Sequence, residues 1–189
     1  MEKEIRNISN YIKRSDDNSR LVEGTAIVFS SDSQDMGFIE RILPTAISED
    51  TIKRSDIFAY LNHDPNRGVL ARSRYGKGSL QLDLQEDGLH YRFEAPLTPL
   101  GDELLSYLTR GEITTSSFAF SLAKEGGDKW YRSEDGTLHR DIVKIDRLFD
   151  VSPVFEPAYL ATSVSTRNLD EIKEIDEKLD ALRKEIEEL

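Results

Sequence analysis

The sequence predicts an α+β domain, a mainly antiparallel β-barrel with flanking helices, followed by a C-terminal amphipathic helix. Three observations predict it. Short β-branched, aromatic or alternating runs recur through residues 1–154, punctuated by Gly, Pro, Asn and Asp. Residues 79–84 and 89–94 alternate cleanly on either side of Glu86-Asp87-Gly88, which is a strong hairpin signal. Helical spacing is confined to a few stretches, chiefly 99–109 and the segment from 167 onwards. Many short strands with helices outside favour an antiparallel barrel or strongly curled sheet.

The elements follow in order. Residues 1–20 are polar with Ile5, Ile8 and Ile12 interspersed, which reads as a short strand and a loop. Residues 21–29 read as a strand, with Gly24 marking a bulge or a close backbone approach. After a Ser/Asp loop, residues 38–43 lead into Pro44, which opens a short helix. Residues 57–61 read as a buried strand ending in the turn formers 62–68, and residues 69–72 resume extended structure. Beyond the hairpin, Thr98 caps a helix over 99–109 with Leu100, Leu104, Leu105 and Leu108 on one stripe, and Gly111 closes it. Residues 123–140 read as a protruding hairpin. Residues 141–154 are the longest strand candidate, with Val143, Ile145, Phe149 and Val151 on the core face and Lys144, Asp146, Asp150 and Ser152 on the other. From Asn168 the composition changes, with a boundary near Arg167. Leu169, Ile172, Ile175, Leu179, Leu182, Ile186 and Leu189 recur at steps of three and four among charges. This divides the chain into a domain over 1–166 and a helix over 167–189, which packs on the domain or pairs with a partner helix, the route to a homo-oligomer.

Composition narrows the function classes. The 189 residues suffice for one domain with a real core and an appendage. A net charge of −11 argues against wrapping nucleic acid, which needs clustered Lys and Arg. No apolar run approaches membrane-spanning length, and the N-terminus has no apolar signal region. The absence of cysteine excludes disulfides, thiolate metal sites and a cysteine nucleophile. No phosphate-cradling glycine loop and no histidine-based zinc spacing is present, so no cofactor is expected.

The chemistry concentrates in the hydroxyl-rich stretch 111–120, Gly-Glu-Ile-Thr-Thr-Ser-Ser-Phe-Ala-Phe. With period two, Thr115, Ser117, Ala119 and Ser121 share one face, while Ser116, Phe118, Phe120 and Leu122 share the other. The second face is apolar enough to be core. The first is small and polar, which suits a reachable nucleophile, so Ser117 is favoured over Ser116. On these ten residues alone, a half-buried strand with serines facing water is the simpler reading. A serine nucleophile needs a base within hydrogen-bond reach and a group that orients the base. Of the three histidines, His63 ends a strand and precedes a turn. His90 reads as a solvated strand residue and His139 as a surface residue after a turn.

Three blocks resemble the prohead maturation proteases of tailed phages, which are similar in fold to herpesvirus assemblins. They are Gly24-Thr25-Ala26-Ile27-Val28-Phe29 with residues 38–46; Leu61-Asn62-His63-Asp64 with residues 68–72; and residues 111–120 with Leu148-Phe149-Asp150-Val151-Ser152-Pro153-Val154 and Pro157-Ala158-Tyr159. Thr45 and Ala71 stand where the family pattern has glycine, and Thr115-Ser116-Ser117 stands where it has Gly-Met-Ser. The resemblance implies an assemblin-like barrel and a serine endopeptidase of capsid maturation. It would act inside the procapsid, in the bacterial host cytoplasm, on the major capsid protein or its scaffold segment and on itself. It implies His63 as general base, Ser117 as nucleophile and Asp150 as the acidic third member, with Asp146 and His139 as alternatives. A non-catalytic capsid scaffold or assembly module built on the same barrel is the rival class.

Overall fold

The computed structural model describes residues 2–8, 12–15, 19–155 and Lys178. The chain divides into compact units over Met1–Ala158 and Tyr159–Leu189. Apart from the helical Lys178, the expected C-terminal helix lies outside the described residues, as do Pro157, Ala158 and Tyr159.

The elements of the first unit run β1 (Glu4–Ile8), β2 (Ile12–Arg14), β3 (Leu21–Val28), β4 (Ile39–Ile42), α1 (Glu49–Arg54), β5 (Asp56–Ala59), β6 (Ala71–Arg74), β7 (Lys77–Gly78), β8 (Gln81–Leu84), β9 (Gly88–Glu94), α2 (Pro99–Thr109), β10 (Thr115–Leu122), β11 (Asp128–Arg132), β12 (Leu138–Ile142) and β13 (Ile145–Val154). Short 3₁₀ turns at Pro44–Ala46 and Pro65–Arg67 follow their prolines. The expected mix of many strands and few helices holds. The expected closed barrel is not what the hydrogen bonds form. Among the described residues they divide into a six-stranded sheet β1-β10-β13-β5-β6-β7, a four-stranded sheet β2-β3-β9-β8 and a three-stranded sheet β11-β12-β4. Most pairs are antiparallel, but β13 with β5 and β12 with β4 are parallel.

The local signals have physical counterparts. Ser48 and Thr98 cap α1 and α2 by accepting from Thr51 and Gly101 N–H groups. In α2, Leu104 and Leu105 are buried, and Gly111 takes the left-handed φ of 72° that ends a helix. A side chain at Gly24 would meet the Tyr91 ring 2.5 Å away, so that glycine permits a close approach, and a register shift follows between Thr25 and Ile27. The expected 141–154 strand is broken at residues 143–144 into β12 and β13. The hairpin expected to protrude is instead paired through β12 to β4, and Trp130 packs against Phe38 with ring centroids 4.9 Å apart.

The core joins residues from all parts of the unit, among them Val22, Ile27, Ile57, Leu89, Phe93, Leu104, Phe118, Phe120 and Ile145. Phe118 and Phe120 have no solvent exposure, and burying each contributes roughly 1.5–3 kcal/mol.

A second, charged cluster fastens β1. Arg140 of β12 lies 1% exposed and binds Glu4 of β1 at 2.7 and 2.9 Å, Glu40 of β4 at 3.0 Å and Asp128 of β11 at 2.8 Å. Arg6 of β1 returns to Glu40 at 2.5 and 2.8 Å and to Glu4 at 2.8 Å. Burial pushes the Glu4 carboxyl up, but its bonds and charge contacts with Arg140 and Arg6 outweigh this and leave it below its ordinary value. Truncating Arg140 strands buried carboxylates, so Arg140→Ala is expected to cost about 3–5 kcal/mol in a urea titration. The Glu4 contribution is fully present above its ordinary pKa of 4.5. It is lost as pH falls through the lower folded value, so wild-type stability is expected to decline below that point and the Arg140→Ala difference to narrow.

Candidate active site

β10 is an interior strand of its sheet, with β1 on one side and β13 on the other. Its alternation is as expected from the sequence. Ser116 points into the core and meets the Tyr91 hydroxyl at 2.9 Å. Ser117 has Asn7 of β1 and Ser152 of β13 as its direct cross-strand partners. The expected exposure is wrong: residues 115 to 121 are all buried, and Ser117 has 0% exposure. The hydroxyl face does not look onto water because the turn carrying His63 lies against it.

That turn is held in an unusual backbone conformation. Asn62 and His63 have φ of 57° and 58°, a left-handed pair without glycine, at a cost of about 1–3 kcal/mol each. Neighbouring bonds determine it. Asn62 N–H donates to the Pro153 carbonyl at 2.9 Å, Asp64 N–H to the Leu61 carbonyl at 3.2 Å, and Tyr60 N–H to the Ser152 hydroxyl at 3.3 Å. Asp64 then caps the following 3₁₀ turn by accepting from Asn66 N–H at 2.9 Å. The His63 ring is thereby aimed at Asp150 of β13 and Ser117 of β10.

The result is a continuous chain of hydrogen bonds. His63 Nε2 lies 2.6 Å from Ser117 Oγ, and His63 Nδ1 lies 2.5 Å from Asp150 Oδ1. Asp150 is 1% exposed. Its Oδ1 also accepts from the Ser152 hydroxyl at 2.8 Å, and its Oδ2 is paired with Lys3 Nζ at 3.0 Å. Burial pushes the Asp150 carboxyl up, yet the bond and charge of His63 and the charge of Lys3 together hold it below the usual carboxylate value. A buried aspartate on Nδ1 fixes the tautomer that leaves Nε2 free to accept the serine proton. The Arg6 carbonyl of β1, 2.9 Å from Ser117 Oγ, is a second acceptor to which the Ser117 hydroxyl can donate.

The three residues expected at the site are thus brought together, and the alternatives are not. Ser116 faces away; its Tyr91 partner, whose ionisation burial strongly opposes, is no base at neutral pH. Asp146 lies on the rim beside Arg54 and Arg147. His139 is in β12, stacked on Tyr131 at 5.1 Å. His90 is not a freely solvated residue but bridges Thr25 and Asp87 at 3.0 and 2.9 Å. A groove of about 790 Å³ over β2, β3, β8 and β9, lined by Gly24, Thr25, His90 and Tyr91 among others, does not include Ser117, His63 or Asp150.

Sequence reasoning missed Lys3, the Arg6 carbonyl and the part played by Ser152. Ser152 had a usable signal, since two steps along a strand return to the same face as Asp150. Lys3 and Arg6 had none, because they reach the site from the far end of the chain.

The family model of the caudovirus prohead serine proteases matches residues 9–176. Among solved structures, the capsid assembly protease gp21 of bacteriophage T4 is similar with a TM-score of 0.48 at 12% identity, over 82% of this chain and 98% of that one. No curated protein matches.

Proposed function

The chain belongs to the caudovirus prohead serine proteases, and we propose from that premise that it is the endopeptidase of capsid maturation, with Ser117 as nucleophile, His63 as general base and Asp150 as the group that orients the base. The observation that carries the reading is the unbroken Ser117–His63–Asp150 hydrogen-bond chain.

The steps follow from the distances. His63 Nε2 takes the Ser117 proton as Oγ attacks the carbonyl carbon of a peptide bond. Asp150, held ionised, stabilises the imidazolium that forms. The imidazolium then protonates the leaving amine as the C–N bond breaks and the acyl–Ser117 ester forms. Water attacks the ester with His63 accepting its proton, and that proton returns to Ser117 Oγ as the ester bond breaks and the acid product leaves. Substrates are capsid precursors or their scaffold segments, together with the chain itself, within the assembling procapsid. The acidic amphipathic segment 167–189 serves docking, oligomerisation or removal.

The test is co-expression with the phage's own capsid precursor, with new termini read by mass spectrometry. Cleavage by wild type that disappears in both Ser117→Ala and His63→Ala supports the reading. Unchanged processing in either variant contradicts it.

A further inference from the structure

We infer that Lys3 is a positioning residue for the reaction, supplying from the N-terminal segment the charge that holds Asp150 ionised and correctly rotated behind His63. The inference rests on the proposed triad and adds a member to it.

A carboxylate that is 1% exposed carries a large desolvation cost unless it is paired and hydrogen-bonded. An imidazole in its neutral, base form offers Asp150 a hydrogen bond but no full charge. Ser152 likewise offers only a hydroxyl. Among the described residues, Lys3 is the cation paired with this carboxylate, at 3.0 Å. It binds Oδ2, whereas His63 and Ser152 bind Oδ1. The two oxygens are therefore divided between partners, which sets the rotation of the carboxylate and keeps Oδ1 on the imidazole. Tyr60, just past β5, is a further titratable neighbour, whose hydroxyl is pushed up by burial and by the Asp150 charge and so stays neutral.

Lys3 has a built position. Its Nζ lies 5.8 Å from the centre of the Phe149 ring, and the strand that follows it is fastened by the buried Glu4–Arg140 and Arg6–Glu40 pairs. The same strand places the Arg6 carbonyl on Ser117 Oγ. The N-terminal segment thus touches both ends of the proposed triad.

The test uses the full-length chain and two variants, Lys3→Met and Lys3→Arg, in fluorophosphonate labelling followed across pH, with peptide cleavage for kcat and KM. Lys3→Met is expected to slow labelling on the order of fivefold near neutral pH, since the lysine end of the pair is partly exposed. Without the cation, the His63–Asp150 pair takes up its proton more readily, so the acid limb moves to higher pH by about half a unit to one unit. Lys3→Arg restores most of the rate, KM stays constant, and raised salt brings wild type towards Lys3→Met. Lys3→Met matching wild type in rate and pH profile, labelling faster than wild type, or not being rescued by Lys3→Arg overturns the inference. Labelling that persists in Ser117→Ala would instead overturn the triad itself, so the two failures are distinguishable.

Discussion

Ser117→Ala is expected to lower peptide cleavage by roughly four to six orders of magnitude, while Ser116→Ala stays within about tenfold of wild type. The contrast is demanding because the two serines are adjacent, chemically identical and equally buried. Only their faces differ. Ser117 Oγ lies 2.6 Å from an imidazole nitrogen, a group able to act as a general base. Ser116 Oγ lies 2.9 Å from a tyrosine hydroxyl in the core, which can orient a hydroxyl but not activate it. The Ser116→Ala cost falls on folding, because it removes a buried hydrogen bond and leaves the Tyr91 hydroxyl without that partner, about 1–3 kcal/mol in a denaturant titration. Ser117→Ala leaves Phe118, Phe120 and the strand pairing in place, so loss of cleavage is expected with the fold intact.

Asp150→Asn carries the second-largest effect, about 10⁴-fold in kcat, and His139→Ala is expected to leave kcat within about threefold. An amide at position 150 keeps the shape but not the charge. It can present N–H to His63 Nδ1, which selects the wrong tautomer and places a proton on Nε2 where the Ser117 proton must go. It also leaves Lys3 facing a neutral group. His139 has no route into this arrangement, because Asp150 already occupies Nδ1 of His63 and His139 stacks on Tyr131 in another sheet. Steady-state kinetics on the two variants checks both values. A larger loss in His139→Ala than in Asp150→Asn reverses the assignment. Asp150 also links activity to acid stability. Its folded carboxyl titrates below the ordinary 3.8, so its ion pairs contribute fully above that value and are lost as pH falls further.

Much of the fold was legible where local chemistry decides it. The Thr98 cap, the leucine stripe and Gly111 predicted α2 to its ends, and Asp87-Gly88 predicted the β8–β9 hairpin. α1 was missed because six residues are too few to show a helical stripe, although Ser48, Glu49 and Asp50 at its start and Lys53 and Arg54 at its end are helix-end signals. Alternation assigned Ser116 and Ser117 to the right faces, but not their burial, which depends on β1, β13 and the His63 turn closing round β10. In β13, strict alternation placed Phe149 in the core. The register shifts opposite β10 put Leu148 there and leave Phe149 half-buried beside Lys3.

The site itself was legible in part. His63 sat at a strand end among turn formers, and Asp150 shared a strand face with Ser152. Their approach to Ser117 is a tertiary fact that spacing does not encode. The N-terminal contribution was illegible for the same reason more strongly: Lys3 meets Asp150 across 147 residues, and Glu4 meets Arg140 across 136. A polar opening segment with scattered isoleucines gives no sign that it will be fastened into a buried ion cluster on the strand that also meets the proposed triad.

Under the proposed function, cleavage depends on Ser117 being activated by His63. Tandem mass spectrometry of the fluorophosphonate-treated chain reads that activation residue by residue, as the position of the adduct. The adduct is expected on Ser117, retained in Ser116→Ala and absent from His63→Ala. An adduct on Ser116 or on any other hydroxyl, or an adduct on Ser117 formed at the wild-type rate in His63→Ala, contradicts the assignment.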